Sequence, residues 1–175
     1  GAGRVSGVCG AVGVQVAAHP VVAEAGVGGL VCLYTLSAAH YVVDVSGYFP
    51  VGTFEPLVSP QRVLDTRSGE VTADGAFAGI GVRAAGSTLE LTVAGRVGVP
   101  VDAAAVVLNV TVTQPGAPGF ATVFPCGVDR PTASNVNFTA AGQTVANSVV
   151  AKVGVGGEVC LYTLSAAHYV VDVSG

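Results

Sequence analysis

The chain contains no tryptophan and no methionine, and only 10% of its 175 residues are charged. Lys152 is the single lysine. A nucleic-acid binder needs a basic footprint, and a formal net charge of −4 spread along the chain offers none. Disorder needs low hydrophobicity with high net charge, whereas 51% of these residues are apolar and the mean hydropathy is +0.67. Aromatics are also scarce, five Tyr and six Phe, which is thin for the two aromatic girdles of a transmembrane barrel. Charge-free windows at 5–23, 25–43 and 103–128 reach the length of about 20 residues that a spanning helix needs. The third, however, holds Asn109, Thr111, Thr113, Gln114, Pro115, Pro118, Thr122 and Pro125, a texture foreign to a bilayer helix. The expectation is therefore no membrane insertion and no nucleic-acid partner. No charged leader precedes an apolar run at Gly1, which is expected of a mature product or a piece of a longer chain.

What the chain does have is a repeat. Residues 31–47 read VCLYTLSAAHYVVDVSG, and the same seventeen residues recur at 159–175. VVAEAGVGG at 21–29 is echoed as VVAKVGVGG at 149–157. Convergence does not produce identity of that length, so the chain contains a duplication. One complete period, 48–175, follows the back part of another copy, 1–47. That first copy is internally shortened: Cys9 and Cys32 lie 23 positions apart, Cys126 and Cys160 lie 34. A stretch equivalent to 129–138 is missing, and with it one strand.

Alternation with period two dominates the complete period. Leu89, Leu91 and Val93 share one face; Val106, Leu108, Val110 and Val112 alternate with Val107, Asn109, Thr111 and Thr113; Val136 and Phe138 alternate with Asn135, Asn137 and Thr139. Tyr169, Val171 and Val173 alternate with His168, Val170 and Asp172. Gly/Pro turns separate these segments, and Ser165-Ala166-Ala167 reads as a hairpin joining the last two strands. Seven to nine short strands without a helical stripe predict an all-β, antiparallel β-sandwich, jelly-roll-like, with 128 residues enough for one sizeable core. Residues 1–47 hold too few strands to close a sandwich, so their edges should seek a partner: the complete module, a preceding module or another chain.

A family pattern runs through 48–175. It comprises the run 57–69 containing Arg62 and Leu64-Asp65-Thr66-Arg67, Gly98-Val99-Pro100, the run 105–113 containing Val106-Val107-Leu108-Asn109-Val110-Thr111, the run 130–138 opening on Arg130-Pro131-Thr132-Ala133-Ser134-Asn135, and Val170-Val171-Asp172-Val173-Ser174-Gly175. In these motifs the chain resembles the LDTR/VVLNVT-type tandem repeat module of secreted actinobacterial surface proteins. The resemblance implies an extracellular or cell-surface accessory or structural module, and it brings no catalytic residues with it.

The residues with chemical capacity support the same class. Four cysteines allow three connectivities, and a pair in each copy favours Cys9–Cys32 and Cys126–Cys160. Each bridge would contribute roughly 3–4 kcal/mol and would need an oxidising exterior. Close C-x-x-C spacing is absent, as is any D-x-D-x-D run, so neither zinc nor calcium is expected, and no cofactor. His168 and Asp172, repeated as His40 and Asp44, sit near Ser165 and Ser37. Positions i and i+4 of a strand lie about 13 Å apart, so they form no triad, and no enzyme is expected. Asp65-Thr66-Arg67 reads as a structural motif whose side chains cap turns and tie the N-terminal loop to the sandwich; gripping a carboxylate or sugar acid is the rival use of Arg67. Asn109, Thr111, Thr113, Asn135 and Asn137 are candidates for one polar, weakly charged face that binds a regular surface such as a glycan. Asn109-Val-Thr111 and Asn137-Phe-Thr139 also match the glycosylation sequon.

The function expected is a non-enzymatic structural or adhesive repeat forming a stalk, fibre or filament. Its partners would be neighbouring copies of itself, joined head to tail by strand pairing. The alternative is a carbohydrate-binding accessory module of a secreted hydrolase, with a glycan as partner, which would need aromatics on an exposed face. Outer faces carrying Asn, Thr and Ser in place of charges suit lateral or end-to-end packing.

Overall fold

The computed structural model describes residues 22, 25, 27–35, 38, 40, 43, 48–50 and 52–175. The chain divides into two units, Gly1–Thr53 and Phe54–Gly175. Within the first unit a 3-10 turn spans Val27–Gly29, and the Thr53 amide and hydroxyl both donate to Pro50 O. Among the described residues no helix is long and apolar enough to cross a membrane.

Phe54–Gly175 is an all-β antiparallel sandwich. Its strands are β1 (Gln61–Asp65), β2 (Thr88–Thr92), β3 (Ala105–Thr113), β4 (Gly119–Pro125), β5 (Val136–Phe138), β6 (Val145–Lys152), β7 (Glu158–Thr163) and β8 (His168–Val173). They form two four-stranded sheets, ordered β1-β8-β3-β6 and β2-β7-β4-β5. The first strand pairs with the last, the second with the seventh, the third with the sixth and the fourth with the fifth, all antiparallel. Contacts β3·β8 and β4·β7 then close the sheets. This is a long antiparallel ribbon rolled over on itself, the jelly-roll arrangement.

The alternation in the sequence places the core. Leu91, Val93, Leu108, Val110, Val112, Val159, Leu161, Val171 and Val173 point between the sheets and are buried, together with Phe138 and Tyr169. Each Val or Leu so buried contributes roughly 1.5–3 kcal/mol, which is how a core of mostly small side chains holds two sheets together.

One sequence expectation is corrected. Ser165-Ala166-Ala167 does not turn a hairpin, because β7 and β8 belong to different sheets and the segment arches between them. Its polar groups find partners in other connections: Gly116 N donates to Ala166 O, Arg83 and Ala167 exchange backbone bonds, and Ser165 Oγ donates to Pro118 O. A hairpin and an arch both join alternating strands through small residues, so periodicity does not separate them. The consequence is large. The repeated seventeen-residue motif supplies a central strand to each sheet.

The arch is approached through a tight turn at Gly154–Glu158. A Cβ on Gly154 would collide with the backbone N and O of Cys126, so only glycine lets the two segments meet. Gly156 and Gly157 both take φ of +75° in the following 3-10 turn, Val155–Gly157.

Tyr169 points inward from β8, and its hydroxyl is buried without a hydrogen-bond partner. The Thr163 hydroxyl, near enough to ease its ionisation slightly, is itself committed to Ser165 O at 2.6 Å. Burial pushes the Tyr169 hydroxyl up to about 12. Unfolded tyrosine ionises near 10, so the stability tied to the neutral hydroxyl is complete below pH 10 and lost as pH rises towards 12. An unpartnered buried hydroxyl costs about 1–3 kcal/mol, so Tyr169→Phe is expected to raise stability by about 1 kcal/mol at pH 7. Urea denaturation at pH 7 and again above pH 10 reads both effects, the variant also losing less stability at the higher pH.

Candidate functional site

Two polar or aromatic constellations stand out on the outer faces. The first runs along the β1·β8 pair. β1 carries a bulge between Arg62 and Leu64, which leaves Val63, Leu64 and Asp65 all buried. Asp65 is fully buried and is gripped by Arg67 through Nε (3.0 Å), NH2 (2.7 Å) and the backbone amide (3.2 Å). Arg62 NH1 adds a further bond at 3.2 Å, while Arg62 Nε reaches across to Asp172 on β8 at 3.0 Å. Burial by itself would raise the Asp65 carboxyl, but the Arg67 hydrogen bonds and the charges of Arg67 and Arg62 hold it below the ordinary range. Thr66 Oγ1 accepts from Tyr169 N at 2.9 Å and shares a hydrogen bond with His168 Nδ1 at the same distance.

Arg62, Asp65, Thr66 and Arg67 thus form a clamp with β8, in which Arg62 and Thr66 reach the two outward polar residues of β8. His168 is tied to Thr66, Asp172 to Arg62, and Ser165 to Pro118 O. The three residues are held by three separate partners and do not form a nucleophile–base relay. Of their counterparts in the first unit, His40 is exposed, while Ser37 and Asp44 lie outside the described residues. In the sequence Arg62 stands out only as part of the family motif, and its position three residues before Asp65 is the one local signal of its role in the clamp. A second clasp joins Arg96 bidentately to Asp74 (both 2.8 Å) and carries Arg96 NH1 to Thr92 O. The Arg96 hydrogen bonds lower Asp74 from 3.8 to about 2.

The second constellation lies on the outer face of the β2-β7-β4-β5 sheet. The Cys126–Cys160 disulfide, with Cα atoms 5.1 Å apart, ties the end of β4 to β7. It packs with Phe124 and Tyr162 as a small apolar cluster outside the sandwich core. Phe120 and Tyr162 lie 5.9 Å apart between ring centres, and the Arg130 guanidinium sits 4.0 Å over the Tyr162 ring. Thr122 Oγ1 donates to Ala133 O, which draws the β4–β5 connection over this face. In the sequence Arg130 stands out only as part of a motif. Nothing in local spacing links it to Tyr162, 32 positions away. Cys32 is an exposed free cysteine, and its expected partner Cys9 lies outside the described residues.

The five residues expected to share one polar face divide between the two sheets. Asn109, Thr111 and Thr113 line the outer side of β3 in the first sheet; Asn109 and Thr111 are half-buried and Thr113 is buried, bonded to Thr144. Asn135 and Asn137 belong to the edge of the other sheet. Asn135 Oδ1 accepts from Val123 N at 2.7 Å, and its carbonyl accepts from Asn147 Nδ2 on β6, so Asn135 ties sheet edges together. Asn137 is exposed and accepts from Ser134 Oγ. A single Asn/Thr array is therefore replaced by two separate patches. Among the described residues, no group of three or more His, Cys, Asp and Glu side chains is placed to hold a metal ion. No protein-family model matches the chain, and no characterised protein matches it in sequence.

Proposed function

We propose that this chain is a non-enzymatic, extracellular structural or adhesive repeat module that builds a stalk, fibre or filament with neighbouring copies of itself. The observation that carries this reading is the duplicated seventeen-residue motif. In the complete unit that motif provides a central strand to each sheet, and central strands have meaning only between neighbours. The resemblance to the LDTR/VVLNVT-type repeats of secreted actinobacterial surface proteins supports the same class, and the Cys126–Cys160 disulfide suits an oxidising exterior. Electron microscopy and light scattering of the concentrated protein test the reading. End-to-end particles are expected; strictly monomeric particles at every concentration would overturn it.

A second reading, a carbohydrate-binding accessory module, draws on the Phe120–Tyr162–Arg130 cluster, where aromatic rings and a cation lie on an outer face. Binding to a soluble glycan, lost in Tyr162→Ala, would favour it over assembly.

A further inference from the structure

We propose that the slot filled by β7 and β8 in Phe54–Gly175 is an interface for a second copy of this chain, whose residues 31–47 take the places of 159–175. This rests on the assembly reading above and names the surface and the segment through which assembly occurs.

The slot is defined by the strands around it. β7 lies between β2 and β4, and β8 lies between β1 and β3, so the arch makes no ladder bonds with itself and all of them with others. Any segment that enters must therefore match two sheets at once, which is a stringent filter. Residues 31–47 pass it by identity at every position. Val159, Leu161 and Val171 are 0%, 3% and 0% exposed in the slot. Their counterparts Val31, Leu33 and Val43 are 50%, 58% and 63% exposed, so these positions present the apolar side chains that the slot is shaped to cover.

The approach to the arch is also prepared. Gly28 and Gly29 take φ of +77° and +74°, against +75° at both Gly156 and Gly157, so the turn that launches β7 already has its launching geometry in the first unit. Within β7 only the first position differs, Leu30 standing for Glu158, whose carboxylate accepts from Thr92 Oγ1 at 3.2 Å. Exchange therefore trades every other contact for itself, and chain concentration and connectors decide its extent. Each resident arch that is displaced is itself a donor for the next copy. The contact is thus head to tail and propagates, as in donor-strand pairing.

Cysteine chemistry records which arch occupies the slot. Cys126 bonds the seventh strand, and Cys32 occupies the position equivalent to Cys160. When residues 31–47 of a second copy enter, the Cys32 thiolate attacks Cys126 Sγ and the Cys126–Cys160 bond breaks. Cys160 leaves as a thiolate and takes up a proton. One disulfide replaces another, with no net oxidation.

The test refolds the reduced full chain, as an equal mixture of 15N-labelled and unlabelled protein, in a glutathione redox buffer at high concentration. Digestion after glutamate, without reduction, puts Cys32 in 25–55, Cys126 in 91–158 and Cys160 in 159–175, apart from Cys9 in 1–24. The expected product is a Cys32–Cys126 linked peptide, half of which joins a labelled to an unlabelled partner, in an amount that rises with concentration. Leu33→Asp, which would place a carboxylate at the buried Leu161 position, should lower that product by about tenfold or more while leaving the melting of Phe54–Gly175 unchanged. Cys126 found only with Cys160, Cys32–Cys126 links confined to single chains, or indifference to Leu33→Asp would each overturn the proposal. End-to-end particles in the microscope with Cys126 joined only to Cys160 would leave the structural reading standing and remove this one.

Discussion

Replacing Cys126 and Cys160 together by serine is expected to lower the unfolding free energy of Phe54–Gly175 by about 3–4 kcal/mol. The bridge closes a loop across a sequence separation of 34, and chain entropy of the unfolded state accounts for a loss of that size. A second contribution comes from position. The bridge lies on the outer face of its sheet with Phe124 and Tyr162, and the serine pair would set two hydroxyls among those rings. For a unit of this size the loss corresponds to a fall in melting temperature of roughly 10–20 °C. Thermal denaturation followed by circular dichroism, with and without reductant, provides the check. Reductant should bring the wild type down to the variant and leave the variant where it is. A wild type indifferent to reduction would mean that the outer cluster holds without its bridge.

Asp65→Asn should be the most damaging single change in the β1·β8 clamp. The carboxylate is fully buried and accepts from two arginines, and the amide would turn a donor toward one of them. Breaking a fully buried pair costs about 3–5 kcal/mol, but Arg62 and Arg67 are each about a third exposed, so the expected loss is about 2–3 kcal/mol. The pH dependence follows from the sign of the shift. Asp65 is held below its ordinary range and Asp74 is lowered to about 2, so both stabilise the fold above the unfolded carboxylate value near 3.9. That stability is lost as pH falls through the folded values, towards pH 2 for Asp74. Urea denaturation between pH 7 and pH 2 should show a steep acid limb in the wild type and a shallower one in Asp65→Asn. Equal limbs would show that the clamp carries no charge-dependent stability.

Much of the sandwich was legible in the sequence, because burial on one face of a strand writes itself as alternation. Leu108, Val110 and Val112 announce β3, and Tyr169, Val171 and Val173 announce β8. β1 was not legible as a strand. Gln61–Asp65 is short, begins with a glutamine and an arginine, and carries a bulge that breaks the period and buries three consecutive residues. Its state is set by pairing with β8, more than a hundred positions away. The polar residues divide in the same way. Asp65 with Arg67 is a local contact and could be suspected from spacing, whereas Arg62–Asp172, Thr66–His168 and Arg130–Tyr162 exist only once strands distant in sequence lie side by side. Asn109 and Asn135 look alike in the sequence and end in different sheets, because membership of a sheet is a property of the roll and not of the strand.

The repeated motif separates the two kinds of determination most cleanly. The Gly-Gly turn before it takes φ values within 2° of each other in the two copies, since glycine's freedom at positive φ is a local property that needs no neighbours. One position later the two copies become identical, yet Val31 is half exposed and Val159 is fully buried. By itself the sequence determined which face of each strand is apolar, where the chain turns, and that a duplication exists. The tertiary structure decided which copy is covered, that the motif is an arch across two sheets, and which cysteines and ions meet. The physical reason is that a strand has no partners of its own. Its hydrogen bonds and its burial come from strands far along the chain.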